Sequence, residues 1–218
     1  MIYAHLFVPL QAVMKKRVLT LIIICTHALL LMAQETPNEQ QARRIFNIAY
    51  NQVFGEQGAS LTYDVNIIGI YRTQGTIWYK GNKQKFVDER VNTWNDGKTA
   101  YMAYRKKKTV EVHAANSDKK DKYSSKFKFQ PDDFTYHISK EKDALLLTLK
   151  QKKKAKGSIK EVKAWVDQKT FAPKRLRIKV AFVWTTVNIS NFHSGGITDD
   201  LFVFPREKFK GWKFVDKR

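Results

Sequence analysis

"GTIWYKGNKQKFVDERVNTWNDGKTAYMAY", residues Gly75 to Tyr104, is the stretch whose reading decides the fold. Thr76-Ile77-Trp78-Tyr79 reads as a strand and Lys85 to Val91 as the next. Ala100 to Arg105 and Thr109 to His113 read as a hairpin around Lys106, Lys107 and Lys108. Trp78, Tyr79, Trp94, Tyr101 and Tyr104 are large aromatics with no nucleophile–base pair among them. A sheet this rich in aromatics has to put them against something apolar.

The period near two continues on both sides. Leu61, Tyr63, Val65 and Ile67 alternate with Thr62, Asp64 and Asn66, which is one apolar strand face. By the same alternation Ile77 and Tyr79 point one way and Trp78 the other. Later strands read at Phe134 to Ser139, Ala144 to Lys150, Lys160 to Asp167, Leu176 to Thr185, Val187 to Phe192 and Leu201 to Phe204. Short spacings with turn residues between them predict one antiparallel meander. Residues 116–134 are polar and lysine-rich and read as a crossing loop with at most a short helix.

One helix precedes the strands. Thr36, Pro37 and Glu39 fall at N-cap, N1 and N3 of "TPNEQQARRIFNIAYNQVFGEQG". Ala42, Ile45, Phe46, Ala49, Tyr50, Val53 and Phe54 recur every three or four residues, an apolar stripe on a helix of about five turns. Gly55 or Gly58 ends it. A stripe at this spacing serves either a packed core or the roof of a cavity. The architecture expected is α+β, one large curved sheet with a long helix on its apolar face.

The N-terminus reads as an address. Met14 opens a segment with Lys15, Lys16 and Arg17, an apolar run from Val18 to Met32 and then Ala33, the parts of a secretory signal peptide. The apolar run is shorter than the ~20 residues that span a bilayer. Residues 1–33 are therefore expected to be upstream residues plus signal (14–33), and 34–218 a single domain, exported to the periplasm with the signal removed. Cys25, the only cysteine, lies in the apolar run, so the exported chain would carry no disulfide and no thiol nucleophile. Its formal charge would fall from +20 to +17 with the loss of Lys15, Lys16 and Arg17. That excess predicts attraction to anionic surfaces.

Chemistry-bearing clusters are sparse. His113, His137 and His193 stand alone, without metal-ligand spacing. Asp132-Asp133 and Asp199-Asp200 sit in turn-like sequence, where Asp is locally favoured. No phosphate-loop, dinucleotide or nucleophile-elbow pattern occurs. No catalytic residue, no metal and no cofactor is expected, and the chain is read as a non-enzyme. Basic runs at Arg105 to Lys108, Lys119-Lys120 and Lys152 to Lys154 read either as solvated edge protection or as docking residues.

"GTIWYKGNK", "WNDGKTAYMAY" and "TVEVH", followed by "KAWVDQKTFAPKRLRI", "VNISNFHSG" and "LFVFPREKFKGWKFVDKR", resemble in order the segments of the outer-membrane lipoprotein carrier (LolA-like) family, over residues 42–218. The resemblance implies an incomplete, strongly curved antiparallel β-barrel, a half-barrel, covered by a helical lid. It implies a cavity that hides acyl chains rather than a reaction centre. The acyl cavity it suggests comprises Ile45, Phe46, Ala49, Tyr50 and Val53 of the helix with Leu61, Tyr63, Val65, Ile67, Ile77, Tyr79 and Tyr101 of the sheet. Trp78 and Tyr104 are expected to add bulk to its walls. Arg105, Lys106, Lys107 and Lys108 are the expected surface docking residues. The resemblance implies acylated lipoproteins, an inner-membrane export machine and an outer-membrane acceptor as partners; the positive charge adds an anionic membrane surface, and a monomer that binds no nucleic acid is expected. Relatives place an arginine latch after the "W-x-K" strand; here Gly81-Asn82-Lys83 stand there, and Lys83 or Lys85 is the candidate substitute. The competing reading is an envelope binding module that holds anionic lipid or glycan on its basic surface.

Overall fold

The structure, a computed structural model, describes residues 35–67, 71–117 and 129–218, with Ile67 and Tyr71 described in their backbone alone. The signal-peptide segment, Lys119-Lys120 and most of the expected crossing loop lie outside the described residues.

Helix α1 runs Pro37–Phe54, with proline at its first position as the sequence predicts. Gly55 donates to the Asn51 carbonyl at 2.9 Å, and Gly58, at φ 73°, turns the chain into the sheet. Among the described residues, twelve strands follow: β1 Ala59–Ile67, β2 Tyr71–Lys80, β3 Lys83–Asp88, β4 Val91–Asn95, β5 Thr99–Tyr104, β6 Thr109–Ala114, β7 Phe134–Lys140, β8 Leu145–Gln151, β9 Ile159–Val166, β10 Pro173–Val180, β11 Val183–Ser194 and β12 Lys213–Asp216. They form one sheet in the order β12-β6-β5-β4-β3-β2-β1-β11-β10-β9-β8-β7. Its two edges, β12 and β7, do not meet. Side chains from β1–β3 and β8–β11 face a single cavity beneath α1, so the sheet curls around the helix as an open half-barrel.

The meander expectation needs two amendments. β1 pairs with β11 rather than with a sequence neighbour on that side, and β12 pairs with β6 in parallel. Three strand readings change in substance. Asp88 stops β3 because its buried carboxylate accepts the backbone N–H groups of Arg90 and Val91, each at 2.7 Å, which bends the chain into β4. Nothing in "FVDERV" marks that turn by composition. The turn between β10 and β11 falls at Ala181-Phe182, with Ala181 at φ 53°, instead of near Thr186. Leu201 to Phe204 is not a strand: Asp199–Phe202 is a 3₁₀ turn, in which Phe202 is buried, while Val203 is exposed and Phe204 packs on the Trp94 cluster.

The main core lies on one flank of the helix. Ala42, Ile45 and Ala49 pack on Phe134, Tyr136, Ile138, Leu147, Leu149, Val162, Ala164 and Val166 from β7–β9. Two of the three helix residues are alanine, which lets the helix sit close to these strands.

Candidate functional site

On the other flank of α1 the packing stays open. A cavity of about 350 Å³ separates the helix from β1–β3, within the ~300–1,000 Å³ range of ligand pockets. The helix contributes Phe46, Ala49, Tyr50, Val53 and Phe54. Leu61, Tyr63, Val65, Ile77, Tyr79 and Phe86 line it from β1–β3, and Val187 and Ile189 from β11. Leu147, Ala164, Val166, Pro173 and Leu176 close it from β8–β10. Among the described residues, no charged side chain belongs to the wall, and its side-chain polar atoms are the hydroxyls of Tyr50, Tyr63 and Tyr79.

The alternation explains this wall. Leu61 faces Ile77 across the β1–β2 ladder, Ile77 faces Phe86 across β2–β3, and Val65 faces Val187 across β1–β11. The apolar residues therefore fall in rows on one face. The helix adds a line of rings: Phe46 to Tyr50 at 5.8 Å between centroids, Tyr50 to Phe54 at 4.7 Å, and Phe54 to Tyr79 at 4.7 Å. Tyr50 and Phe54 remain 42% and 37% exposed, so the cavity is open to solvent along this line. Tyr63 stacks on Phe86 at 5.5 Å and rests over Gly75, where a Cβ would press on the Tyr63 hydroxyl and on the Val87 carbonyl. The Tyr63 hydroxyl is buried against Gly75, with Thr73 and Asp88 among its neighbours. Burial pushes the Tyr63 phenol far above its ordinary range, with the nearby Asp88 charge adding to it, and burial does the same to Tyr79.

Of the expected cavity residues, Phe46, Ala49, Tyr50, Val53, Leu61, Tyr63, Val65, Ile77 and Tyr79 come together here. Ile45 does not: at 4% exposure it belongs to the closed core on the other flank. The Ile67 side chain lies outside the described residues. Tyr101 does not line the cavity either, because it points to the opposite face, where it stacks on Phe204 at 4.3 Å. Trp78 shares that opposite face, and Tyr104 sits near the end of β5 beside Met102, so neither adds to the cavity wall. Phe54 lies on the predicted stripe but outside the cavity set expected from sequence. The residues from β8–β11 are likewise absent from that set, because only the β1–β11 pairing carries them to the site.

The opposite face has its own aromatic cluster, and the chain covers it. Trp94 meets Phe204 and Phe209 edge-on at 5.4 and 5.6 Å, and Phe209 meets Trp212 at 4.9 Å. Ala103 and Val110 complete the floor with no exposure. Lys85 lies over Trp78 at 5.2 Å on this face and so does not reach the helix. Lys83 pairs with Asp199 at 2.7 Å, together with Lys80 at 3.0 Å. Neither Lys83 nor Lys85 latches the lid.

The helix is held by other means. Asn38 donates to the Ile138 carbonyl at 2.9 Å and accepts from the Ile138 N–H at 3.0 Å, while Glu39 accepts from the Tyr136 N–H at 3.3 Å. These bonds satisfy the outward groups of the edge strand β7, which would otherwise template another chain. Arg43 pairs with Asp132 at 2.9 Å. Farther along, the Gln52 side-chain amide donates to the Thr170 carbonyl at 2.7 Å, and the Gln52 backbone carbonyl accepts from Ser194 Oγ at 3.0 Å. Each such bond contributes about 0.5–1.5 kcal/mol net, so the set is strong enough to seat the helix and weak enough to break.

Among the described residues, no group of three or more His, Cys, Asp and Glu side chains forms a metal-ligand set. The expected docking residues Arg105 to Lys108 are all exposed, on the 3₁₀ turn Arg105–Lys107 and the β5–β6 connection.

Comparison with known proteins bears on the fold. No protein-family model and no curated protein matches the chain. Among solved structures, it is similar to an uncharacterized conserved protein from Thermus thermophilus at 9% identity and TM-score 0.56, covering 81% of this chain and 99% of that one. It also matches a putative outer membrane lipoprotein-sorting protein domain from Vibrio parahaemolyticus at 10% identity and TM-score 0.43, over 79% and 100% of the two chains. A LolA superfamily protein from Nitrosomonas europaea matches at 9% identity and TM-score 0.37, over 76% and 98%.

Proposed function

We propose that the protein is a periplasmic carrier that binds the acyl chains of outer-membrane lipoproteins beneath α1 and ferries them to the outer membrane without covalent chemistry. The observation that carries this reading is the cavity of about 350 Å³ with no charged side chain in its wall. Each methylene withdrawn from water into such a site contributes about 0.8 kcal/mol, so an acyl chain needs apolar area more than placed polar groups. Exchange proceeds by breaking the few bonds that seat the helix. The order of family-like motifs from residue 42 to the C-terminus supports the same reading, as does the signal-like segment 14–33. By that analogy the donor is an inner-membrane export machine and the acceptor lies at the outer membrane.

Native mass spectrometry of protein recovered from the envelope tests this. Co-purified acylated ligand that persists in high salt is the expected result. A protein that arrives empty and acquires only anionic ligands, all released by salt, would replace the carrier with the surface-binding module.

A further inference from the structure

The two rims of the half-barrel differ in chemistry. One rim carries the β2–β3, β4–β5, β7–β8 and β9–β10 turns, and there the carboxylates Asp96, Glu141, Asp143 and Asp167 are interspersed with the cations. Lys80 and Lys83 pair with Asp199, and Lys174 pairs with Asp167 at 2.9 Å. The other rim carries the β3–β4, β5–β6, β8–β9 and β10–β11 connections. Its tips are Arg105 to Lys108 on one side and Lys152, Lys153, Lys154 and Lys156 on the other, all exposed. Among the described residues, no ion pair falls on any of these cations.

Phe182 stands at the tip of the β10–β11 turn on this cationic rim, 86% exposed. Ala181 before it adopts φ 53°, a conformation usually left to glycine or asparagine, and so aims the phenylalanine outward. The Ala181 N–H donates to the Ser158 carbonyl at 3.3 Å, which ties the Phe182 turn to the lysine-rich β8–β9 loop. An isolated exposed apolar residue is ordinary. A fully presented ring joined by a backbone bond to a loop of four unpaired lysines is the combination that a charged, water-to-hydrocarbon boundary selects.

We propose that this rim docks on an anionic phospholipid bilayer, with Phe182 seated at the headgroup–acyl boundary and the lysines of the 152–156 loop on the lipid phosphates. The docking is a property of the rim and does not depend on what the cavity holds. It places the end of β1, two residues beyond the cavity residue Val65, toward the membrane.

Vesicle flotation provides the test. The full chain is expressed, the form released from the envelope is purified, and it is mixed with phosphatidylcholine vesicles with or without phosphatidylglycerol. The protein is expected to float with the anionic vesicles only. The triple variant Lys152→Gln, Lys153→Gln, Lys154→Gln lowers partitioning about fivefold per charge, on the order of 100-fold in all. Raising salt to about 1 M, where the screening length falls to about 3 Å, removes most of the rest. Phe182→Ser removes the part that survives salt, while Phe182→Trp keeps it, since tryptophan favours the membrane interface. Near-ultraviolet circular dichroism confirms that each variant is folded, and Ile77→Asp floats like the unaltered protein even where the cavity reading fails. Equal flotation of the triple variant and the unaltered protein overturns the proposal. So does a protein that ignores the vesicles and binds a soluble polyanion such as heparin instead.

Discussion

Strands β1–β6 carry two clusters rich in aromatics, one on each face, and the chain treats them in opposite ways. On the convex face Trp94, Tyr101, Ala103 and Val110 are sealed by Phe204, Phe209, Trp212 and Phe214 from the C-terminal segment. On the concave face Tyr63, Ile77, Tyr79 and Phe86 meet α1 across an open cavity. The same strand chemistry therefore yields a core where the chain supplies its own filling and a binding site where it does not. Composition cannot separate the two, because the difference lies in what covers each face.

Substitutions that probe filling should separate them. Phe209→Ala is expected to have the largest effect, a loss of about 3–5 kcal/mol read from thermal or denaturant unfolding, with no change in acyl binding by the protein that remains folded. If that variant unfolds normally and loses acyl ligand, the two faces have been assigned the wrong way round. Ile77→Asp should leave folding cooperative but weaken acyl binding more than about 100-fold, equivalent to about 3 kcal/mol, because an unpaired carboxylate would enter the apolar wall. Unchanged titration of an alkyl probe would remove Ile77 from the site. Gly75→Ala should cost about 1–3 kcal/mol, since its Cβ would drive the Tyr63 ring from its seat and press on the Val87 carbonyl. A neutral effect on unfolding would mean that the Tyr63 ring relaxes freely.

The smallest effect concerns alkaline pH. Burial raises the folded-state pKa of Tyr63 and Tyr79 above the ordinary value of 10.0, so the folded protein keeps protons that the unfolded chain releases. Their contribution is intact below pH 10 and declines as the pH rises beyond it. In the phenolate absorption band these two residues should ionise only as the protein unfolds. Tyr79→Phe should flatten the alkaline loss of stability. A Tyr79 that titrates with the exposed tyrosines would show that the cavity admits water freely.

Local pattern and long-range pairing are unequally legible in the sequence. The helix, its proline start and glycine end, and the apolar face of β1 follow from periodicity and caps, and the structure keeps them. Alternation alone puts Ile77 and Tyr79 on the concave face, and they line the cavity. It does not place Tyr101, whose strand position fixes its face relative to Trp94, opposite which it pairs, and not relative to Tyr79. The β3–β4 turn is hidden because a buried Asp88 makes it, without glycine or proline. Leu147, Val166, Leu176 and Ile189 reach the site only through the closure of β1 on β11, a contact between residues more than a hundred positions apart in the chain. Ile45 and Phe46 are neighbours on one stripe, yet Ile45 is sealed in the core while Phe46, packed on the edge of that core, also lines the cavity.

Photo-crosslinking with a diazirine-bearing fatty acyl probe, followed by peptide mapping, tests the central claim most directly. The account predicts salt-resistant labelling at Phe54, Leu61, Tyr79 and Phe86, suppressed by Ile77→Asp and untouched by neutralising Lys152, Lys153 and Lys154. Labelling confined to Phe204, Phe209 and Trp212, or spread over the lysine-bearing surface and erased by salt, would contradict it.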